Sequence, residues 1–177
     1  AVRSIRKPIG EVELTTRPNR YCGEKLRLPG PKLLMLDRIT GYWPDWQGTG
    51  KPRLRAEKTV NPAEWFFKAH FFHDPVQPGS LGVEAIVQLL EFYMIHENLH
   101  EGMSNPRFEP IALNTPLTWK YRGQITINKN RARIEMNIAD NHLKLWTRLV
   151  EVANDPYPYS NAMLPSLVFR DVVVSGI

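Results

Sequence analysis

A chain of 177 residues with 42% apolar and 23% charged residues has the size and composition of one globular domain with a sizeable core. No apolar run reaches the roughly 18 residues of a membrane span, so we expect no membrane partner. The single cysteine, Cys22, excludes an internal disulfide, and a reducing cytoplasmic location is the expectation.

The net charge of +5 is concentrated near the N-terminus, where residues 1–30 carry seven Lys/Arg against three Glu. We predict a basic lead-in segment over residues 1–31, ending in Pro29-Gly30-Pro31, and one domain over residues 32–177. Such an excess of positive charge could meet an acidic partner, although solvated terminal charge is the commoner explanation.

The first half of the domain alternates short strands with helical turns. The apolar run over residues 33–39 predicts a strand. Residues 53–60 predict a second, with Leu54, Ala56 and Val60 on one face. Asn61 and Pro62 then favour the start of a short helix carrying Trp65, Phe66 and Phe67.

A long helix is predicted from Ser80 to about Leu99. Apolar residues surround nearly its whole circumference, so we expect it to be buried on almost every side, with a predicted core of Leu81, Ile86, Leu89, Leu90 and Tyr93. Glu84, Gln88 and Glu91 form one narrow polar stripe. The stripe either faces solvent or places the Glu84 carboxyl near the helix start, with Gln88 one turn on to orient it.

The second half of the chain alternates apolar and polar residues in the manner of half-buried strands. The four predicted strands cover residues 119–127, 132–138, 143–152 and 167–174. An antiparallel sheet of five to seven strands wrapped around one long central helix is an α+β arrangement.

The segment before the long helix reads, from Trp65 to Gly82, WFFKAHFFHDPVQPGSLG. A histidine titrates near neutral pH and suits general-base catalysis, which makes His70 a candidate. Pro75 and Pro78 restrict the backbone, and we predict Ser80 as the helix N-cap. The first N–H groups of the helix would then point at a nearby ligand.

Together with Glu84, Ala85 and Gln88, this segment resembles the active-site segment of β-hydroxyacyl-[acyl-carrier-protein] dehydratases of the hotdog fold. Within that group it is most similar to the decanoyl-type dehydratase/isomerase and to dehydratase domains of polyunsaturated fatty acid and polyketide synthases. The run from Met35 to Ile39 also matches the family's first strand.

The resemblance implies a hotdog fold and an enzyme that converts (3R)-hydroxyacyl thioesters on acyl carrier protein into trans-2-enoyl thioesters. His70 would take the α-proton, Glu84 would protonate the departing β-hydroxyl, and the Gly79 N–H would polarise the thioester carbonyl. Further residues expected to bind or orient substrate are Val76, Gln88, Phe71 and Pro78.

The resemblance further implies no cofactor and no metal. The implied partners are an acyl carrier protein with its phosphopantetheine-linked acyl chain, and a second hotdog unit. That unit is either another copy of the chain or a neighbouring domain, because in the family the histidine and the carboxylate meet across a two-fold interface.

The sequence departs from the decanoyl-type pattern at three places. That branch usually has Asp at the position of Glu84, whereas Glu is usual in the branch that dehydrates without isomerising. Ser80 stands where decanoyl-type enzymes often have Cys. Residues 154–165 interrupt the region in which the family runs directly into its last strand.

Three other functions have signals in the sequence. The first is metal binding, since His96 and His100 match the H-E-x-x-H motif of zinc proteases, and His70, His73 and Asp74 lie close together in sequence. A catalytic zinc site needs a third ligand and an open coordination position. His96 and His100 lie at the end of the predicted helix, where the helix dipole favours histidines.

Basic strands with aromatics, such as residues 119–122 with Arg131 and Arg133, could suggest nucleic-acid binding. Their alternation puts charges and rings on opposite faces, so we expect no nucleic-acid partner. The main alternative is a non-catalytic hotdog domain that binds acyl chains or supports a neighbouring dehydratase. The presence of both His70 and Glu84 favours catalysis.

Overall fold

The structure, a computed structural model, describes residues 10–23, 26–108 and 123–138, together with the backbone of two further strands, residues 149–151 and 169–176. The strands in the described part of the chain are β1 (Val12–Glu13), β2 (Arg38–Trp43), β3 (Arg53–Thr59), β4 (Pro106–Phe108), β5 (Arg131–Ile138), β6 (Leu149–Glu151) and β7 (Phe169–Gly176). The helices are α1 (Asn19–Cys22), α2 (Trp65–Ala69) and α3 (Gly79–His96), with a 3-10 turn at Trp46–Gly48.

Five strands form one antiparallel sheet in the order β1-β2-β3-β5-β7, and β4 pairs with β6 separately. The alternation of apolar and polar residues that predicts β3 and β5 reflects the two faces of this sheet. The apolar residues are buried on its inner face, namely Leu54 and Ala56 of β3 and Ile134 and Met136 of β5. Leu54 lies opposite Met136, and Ala56 lies opposite Ile134. The sheet therefore presents one apolar surface toward α3.

The long helix α3 packs against β3 and β5. Leu89 and Leu90 are fully buried, while Leu81, Ile86 and Tyr93 are partly buried and pack against the core. The prediction of a central helix engulfed by an antiparallel sheet is confirmed. The helix is most deeply buried in its second half, whereas its first turns are half-exposed beside the candidate site.

The described part of the lead-in segment packs on the same core. Leu14, Tyr21, Leu26 and Leu28 are all buried. The Tyr21 ring lies 4.7 Å from that of Phe92 in α3, centroid to centroid. The boundary at residue 31 stays a prediction.

The strand predicted over residues 33–39 is wrong in its first part, because β2 begins only at Arg38. The backbone around Leu33 and Met35 bonds to the Gln88 side chain instead of to a neighbouring strand. Most of the predicted strand over 119–127, the first part of that over 143–152, and residues 154–165 lie outside the described residues.

Candidate functional site

His70 is held at the end of α2 by its own loop. Its backbone N–H bonds to the Phe66 carbonyl oxygen at 3.0 Å, and its carbonyl oxygen accepts the Val76 N–H at 2.9 Å. Its ring Nδ1 lies 3.0 Å from the Val76 carbonyl oxygen. Because a carbonyl oxygen can only accept, Nδ1 carries the hydrogen and Nε2 keeps its lone pair. This arrangement gives the half-buried imidazole one nitrogen that can take a proton.

The loop between His70 and Val76 closes on itself and is tied to the neighbouring segment. Phe71 and Asp74 exchange backbone hydrogen bonds, Phe71 N–H to Asp74 O at 3.2 Å and the reverse at 3.3 Å. The Gln77 N–H bonds to the Ile125 carbonyl oxygen at 2.8 Å. The prolines of this segment therefore belong to a constrained loop, as the sequence predicts.

The residues predicted to contact substrate differ in their exposure. Val76 is buried and holds His70 through its backbone, whereas Phe71 is 59% exposed and its ring lies 3.8 Å from that of His70. Phe72 at the loop tip is 90% exposed. Pro78 is half-buried and directly precedes α3. The substrate-binding role of these residues stays a prediction.

Gly79 is the first residue of α3, and Pro78 occupies the N-cap position without a side-chain hydrogen bond. The prediction that Ser80 caps the helix is wrong, because the helix starts one residue earlier and Ser80 lies exposed in its first turn. The Leu81 N–H bonds back to the Pro78 carbonyl oxygen at 3.0 Å. Since the first N–H groups of a helix have no acceptor within it, those of Gly79 and Ser80 can donate to a ligand, with the positive end of the helix dipole behind them.

The Glu84 carboxyl is hydrogen-bonded to the Gln88 side chain, one turn further along α3. The Gln88 amide nitrogen donates to Glu84 Oε1 at 2.7 Å and to the Leu33 carbonyl oxygen at 2.8 Å. The Gln88 amide oxygen accepts the Met35 N–H at 2.7 Å. Both amide hydrogens are thus used, and Gln88 is fully buried. The Gln88 amide thus holds Oε1 of the half-buried Glu84 carboxyl by a hydrogen bond, and Oε2 takes no part in this bond.

Two of the three residues in the polar stripe of α3, Gln88 and Glu91, are buried, so the stripe does not face solvent as a whole. Glu91 is only 8% exposed, and its Oε2 has no hydrogen-bond partner in the described structure. Burial, and to a lesser degree the Glu84 carboxylate, raise the pKa of Glu91 to about 8. Glu91 is therefore an uncharged acid at neutral pH, which the helical spacing alone does not reveal.

His70 and Glu84 lie on different elements of the chain. Across the residues that the structure describes, neither a hydrogen bond nor an ion pair joins them. His70 follows α2, whereas Glu84 lies in the second turn of α3, and both are half-buried.

Comparison with known proteins decides the family. The sequence profile of the FabA-like domain family matches residues 28–155. The chain belongs to the FabA-like domain family. This is a family of hotdog dehydratases, so the resemblance and the fold class predicted from sequence are confirmed. Membership supports a dehydratase-type function in fatty acid or polyketide synthesis.

A curated relative is one of the subunits of a polyunsaturated fatty acid synthase from Thraustochytrium sp. (strain ATCC 26185 / S-3), which is 34% identical over 168 residues. The alignment covers 88% of this chain and 11% of the relative. The chain thus spans about a ninth of that much longer protein, and the match agrees with the resemblance to polyunsaturated fatty acid synthases.

The histidines that suggest a metal site in the sequence of this FabA-like domain can be located in the structure. Within the described ranges, no group of three or more His, Cys, Asp or Glu side chains could hold a metal ion. The Nδ1 atom of His96 is hydrogen-bonded to the Tyr21 hydroxyl at 2.9 Å, and burial lowers the pKa of His96. The His96 ring thus joins α1 to α3.

Two further alternatives can be compared with the structure. Arg131 and Arg133 lie on the outer face of the sheet and both form ion pairs with Glu57, whereas residues 119–122 lie outside the described residues. Among the described helices, none combines the length and hydropathy needed to cross a membrane.

Proposed function

We propose that this FabA-like domain dehydrates (3R)-hydroxyacyl thioesters on acyl carrier protein to trans-2-enoyl thioesters. The observation that carries the proposal is the hydrogen bond from His70 Nδ1 to the Val76 carbonyl oxygen, because it leaves Nε2 as a base. A general base needs this fixed tautomer.

The reaction begins with His70 Nε2, which removes the α-proton of the hydroxyacyl thioester. Negative charge then develops on the thioester oxygen. The Gly79 N–H, at the start of α3, stabilises that oxygen by a hydrogen bond and by the helix dipole.

The β-hydroxyl leaves as water when Glu84 donates its proton. The Cβ–O bond breaks, and the electron pair of the former Cα–H bond forms the new double bond. Gln88 supports this step by holding Glu84 Oε1, which leaves Oε2 for the proton. His70 ends the step protonated and Glu84 ends it ionised, so solvent exchange restores both groups.

The proposal includes a second hotdog unit. No hydrogen bond or ion pair joins His70 and Glu84 in the described part of one chain, and the Phe71 ring, 3.8 Å from that of His70, is exposed. A site shared across an interface would bring the His70 of one unit to the Glu84 of the other. Dehydration, without isomerisation, is the proposed reaction because Glu rather than Asp stands at position 84.

The test is turnover of synthetic (3R)-hydroxyacyl thioesters of several chain lengths by the purified chain in its paired state. We expect the ultraviolet absorbance of the conjugated enoyl thioester to appear, and the reverse hydration to be measurable. Absence of conversion in both directions would favour the non-catalytic hotdog domain.

A further inference from the structure

Two apolar side chains from different segments lie exposed beside the candidate site, each next to a lysine. Leu33 is 52% exposed and Trp65 is 45% exposed. The Trp65 indole N–H donates to the Lys32 carbonyl oxygen at 2.8 Å, which brings the two segments together. Lys68 is exposed on the same side of α2 as Trp65, three residues on. We call Lys32, Leu33, Trp65 and Lys68 the Leu33–Trp65 patch.

The Leu33–Trp65 patch is connected to both proposed catalytic residues. Trp65 begins α2, and His70 is the C-cap of the same helix. The Leu33 carbonyl oxygen accepts from the Gln88 amide that also holds Glu84. A partner that binds the patch would therefore sit directly beside the elements that carry the candidate site.

The charge of the Leu33–Trp65 patch is positive. Neither lysine ammonium has an ion-pair partner in the described part of the chain. The acid next to Trp65, Glu64, is 3.0 Å from the Lys58 ammonium. Apolar side chains rimmed by lysines suit a partner with an apolar contact and an acidic surround.

The arginines of the sheet are less available for such a partner. Arg53 is 2.7 Å from Glu135, and Arg131 is 2.9 Å from Glu57. Arg55 donates to the side-chain and backbone oxygens of Thr40. The Leu33–Trp65 patch, in contrast, has exposed lysines next to exposed apolar side chains, and it lies beside the candidate site.

We propose that the Leu33–Trp65 patch is the docking surface for the acidic acyl carrier protein that delivers the thioester. This proposal rests on the proposed function. Lys32 and Lys68 steer the carrier, and Leu33 and Trp65 supply the contact that holds it while the pantetheine arm reaches the shared site.

The test measures binding separately from turnover. Fluorescence anisotropy of a labelled acyl carrier protein, loaded with a 3-hydroxyacyl pantetheine arm, gives its Kd for the chain and for the double variant Lys32→Glu/Lys68→Glu. We expect the reversal to weaken binding roughly tenfold and to remove most of the salt dependence. Leu33→Ala should weaken binding without changing the salt dependence.

Turnover is then compared for the same acyl group on the carrier and on free pantetheine. The double variant should raise KM for the carrier-linked substrate and leave the kinetics of the pantetheine thioester unchanged. Lys51→Glu is the matched control, because Lys51 is exposed on the loop joining β2 to β3. This loop follows the end of β2 at which Tyr42 bonds to Glu97, just after the last residue of α3, whereas the candidate site is at the start of α3.

Several outcomes would overturn the docking proposal. These are unchanged carrier binding in the double variant, an equal effect of Lys51→Glu, and equal loss of activity toward both substrates. Dissociation of the paired state by the double variant would instead make the patch an interface between copies. A chain that binds the carrier through the patch but converts neither thioester would refute the proposed function and keep the docking surface.

Discussion

His70 can act as a base through one nitrogen only, because the other donates to the Val76 carbonyl oxygen. We therefore expect His70→Ala to lower kcat by about 10²–10⁴-fold, the usual effect of losing a positioned base. The measurement is steady-state dehydration of a 3-hydroxyacyl thioester. His73→Ala is the matched control, since His73 is exposed in the same loop and should keep nearly full activity. An active His70→Ala variant would contradict the mechanism.

On our proposal, Glu84 acts as a proton donor and not only as a hydrogen-bond acceptor. Glu84→Gln keeps the side-chain shape and an oxygen for the Gln88 amide, but it cannot donate a carboxylic proton. We expect loss of most activity, on the order of 10²-fold or more, with an unchanged melting temperature. A loss of activity accompanied by a lower melting temperature would indicate a structural role for Glu84 instead.

Glu91 should make stability depend on pH. Its pKa is raised from the ordinary 4.5 to about 8, so between these values the folded protein keeps a proton that the unfolded chain releases. The free energy of unfolding therefore falls as pH rises through this window. Each unit of pKa difference corresponds to about 1.4 kcal/mol, so the full effect amounts to a few kcal/mol.

Glu91→Gln removes this titration. Relative to wild type, we expect the variant to gain stability between pH 5 and pH 8, measured by urea unfolding at both pH values. Glu101→Gln, at an exposed site, should keep the wild-type pH dependence. Identical pH dependence in wild type and Glu91→Gln would show that the buried carboxyl does not hold its proton.

His70 is a candidate because a histidine suits general-base catalysis and prolines restrict the loop around it, whereas the roles of Gly79 and Glu84 are implied by the resemblance to the dehydratase family. It does not predict that Glu91 is buried. Periodicity places Glu84, Gln88 and Glu91 on one face, but which way that face turns depends on the segments packed against it. The Gln88 contacts with Leu33 and Met35 join residues more than fifty positions apart and leave no local signal.

The helix α3 is joined to the chain before β2 by the Gln88 amide. Gln88→Leu would leave the Met35 N–H, the Leu33 carbonyl oxygen and Glu84 Oε1 without this partner. Leu33 and Glu84 are partly exposed and can bond water instead, so the cost comes mainly from the buried Met35 N–H, and we expect a loss of about 1–3 kcal/mol in the free energy of unfolding. Urea unfolding measures it.

Gln124→Leu is the control for the Gln88 prediction, since Gln124 is exposed and its change should stay within about 0.5 kcal/mol. Equal stability of Gln88→Leu and wild type would mean that water replaces the amide at all three groups.

At the level of elements, the period-2 pattern predicts β3 and β5 and the apolar circumference predicts α3, because these elements bury regular faces. The predicted strand over residues 33–39 fails for a different reason. Asp37 turns its carboxylate to the Lys58 ammonium and the Thr59 N–H, and the residues before it bond to Gln88. An apolar run alone cannot distinguish such a segment from a strand.

The whole molecule, on our proposal, is a pair of hotdog units with two shared sites. A single chain has an engulfed α3, yet no bond joins its His70 and Glu84 among the described residues, and the rings of Phe71 and Phe72 are exposed. Two-fold pairing would cover these rings and place the His70 of each unit at the Glu84 of the other. If each site is built from two chains, two inactive variants with different defects should regain activity when they pair with each other.

Mixing His70→Ala and Glu84→Gln chains tests this arrangement. Each variant alone has two defective sites. A mixed pair has one site with both wild-type residues and one site with neither. Random re-pairing of equal amounts makes half of the pairs mixed, so we expect recovery of about a quarter of the wild-type activity. The measurement is dehydration rate after the two variants are unfolded and refolded together.

The control is refolding of each variant by itself, which should stay inactive and should form pairs of the same mass by light scattering. Mixing that forms pairs but restores no activity would place His70 and Glu84 of one site in the same chain. An active species with the mass of one chain would exclude the shared site altogether. Recovery is specific because neither variant can supply the missing group by itself, so any activity of the mixture must come from residues contributed by two chains.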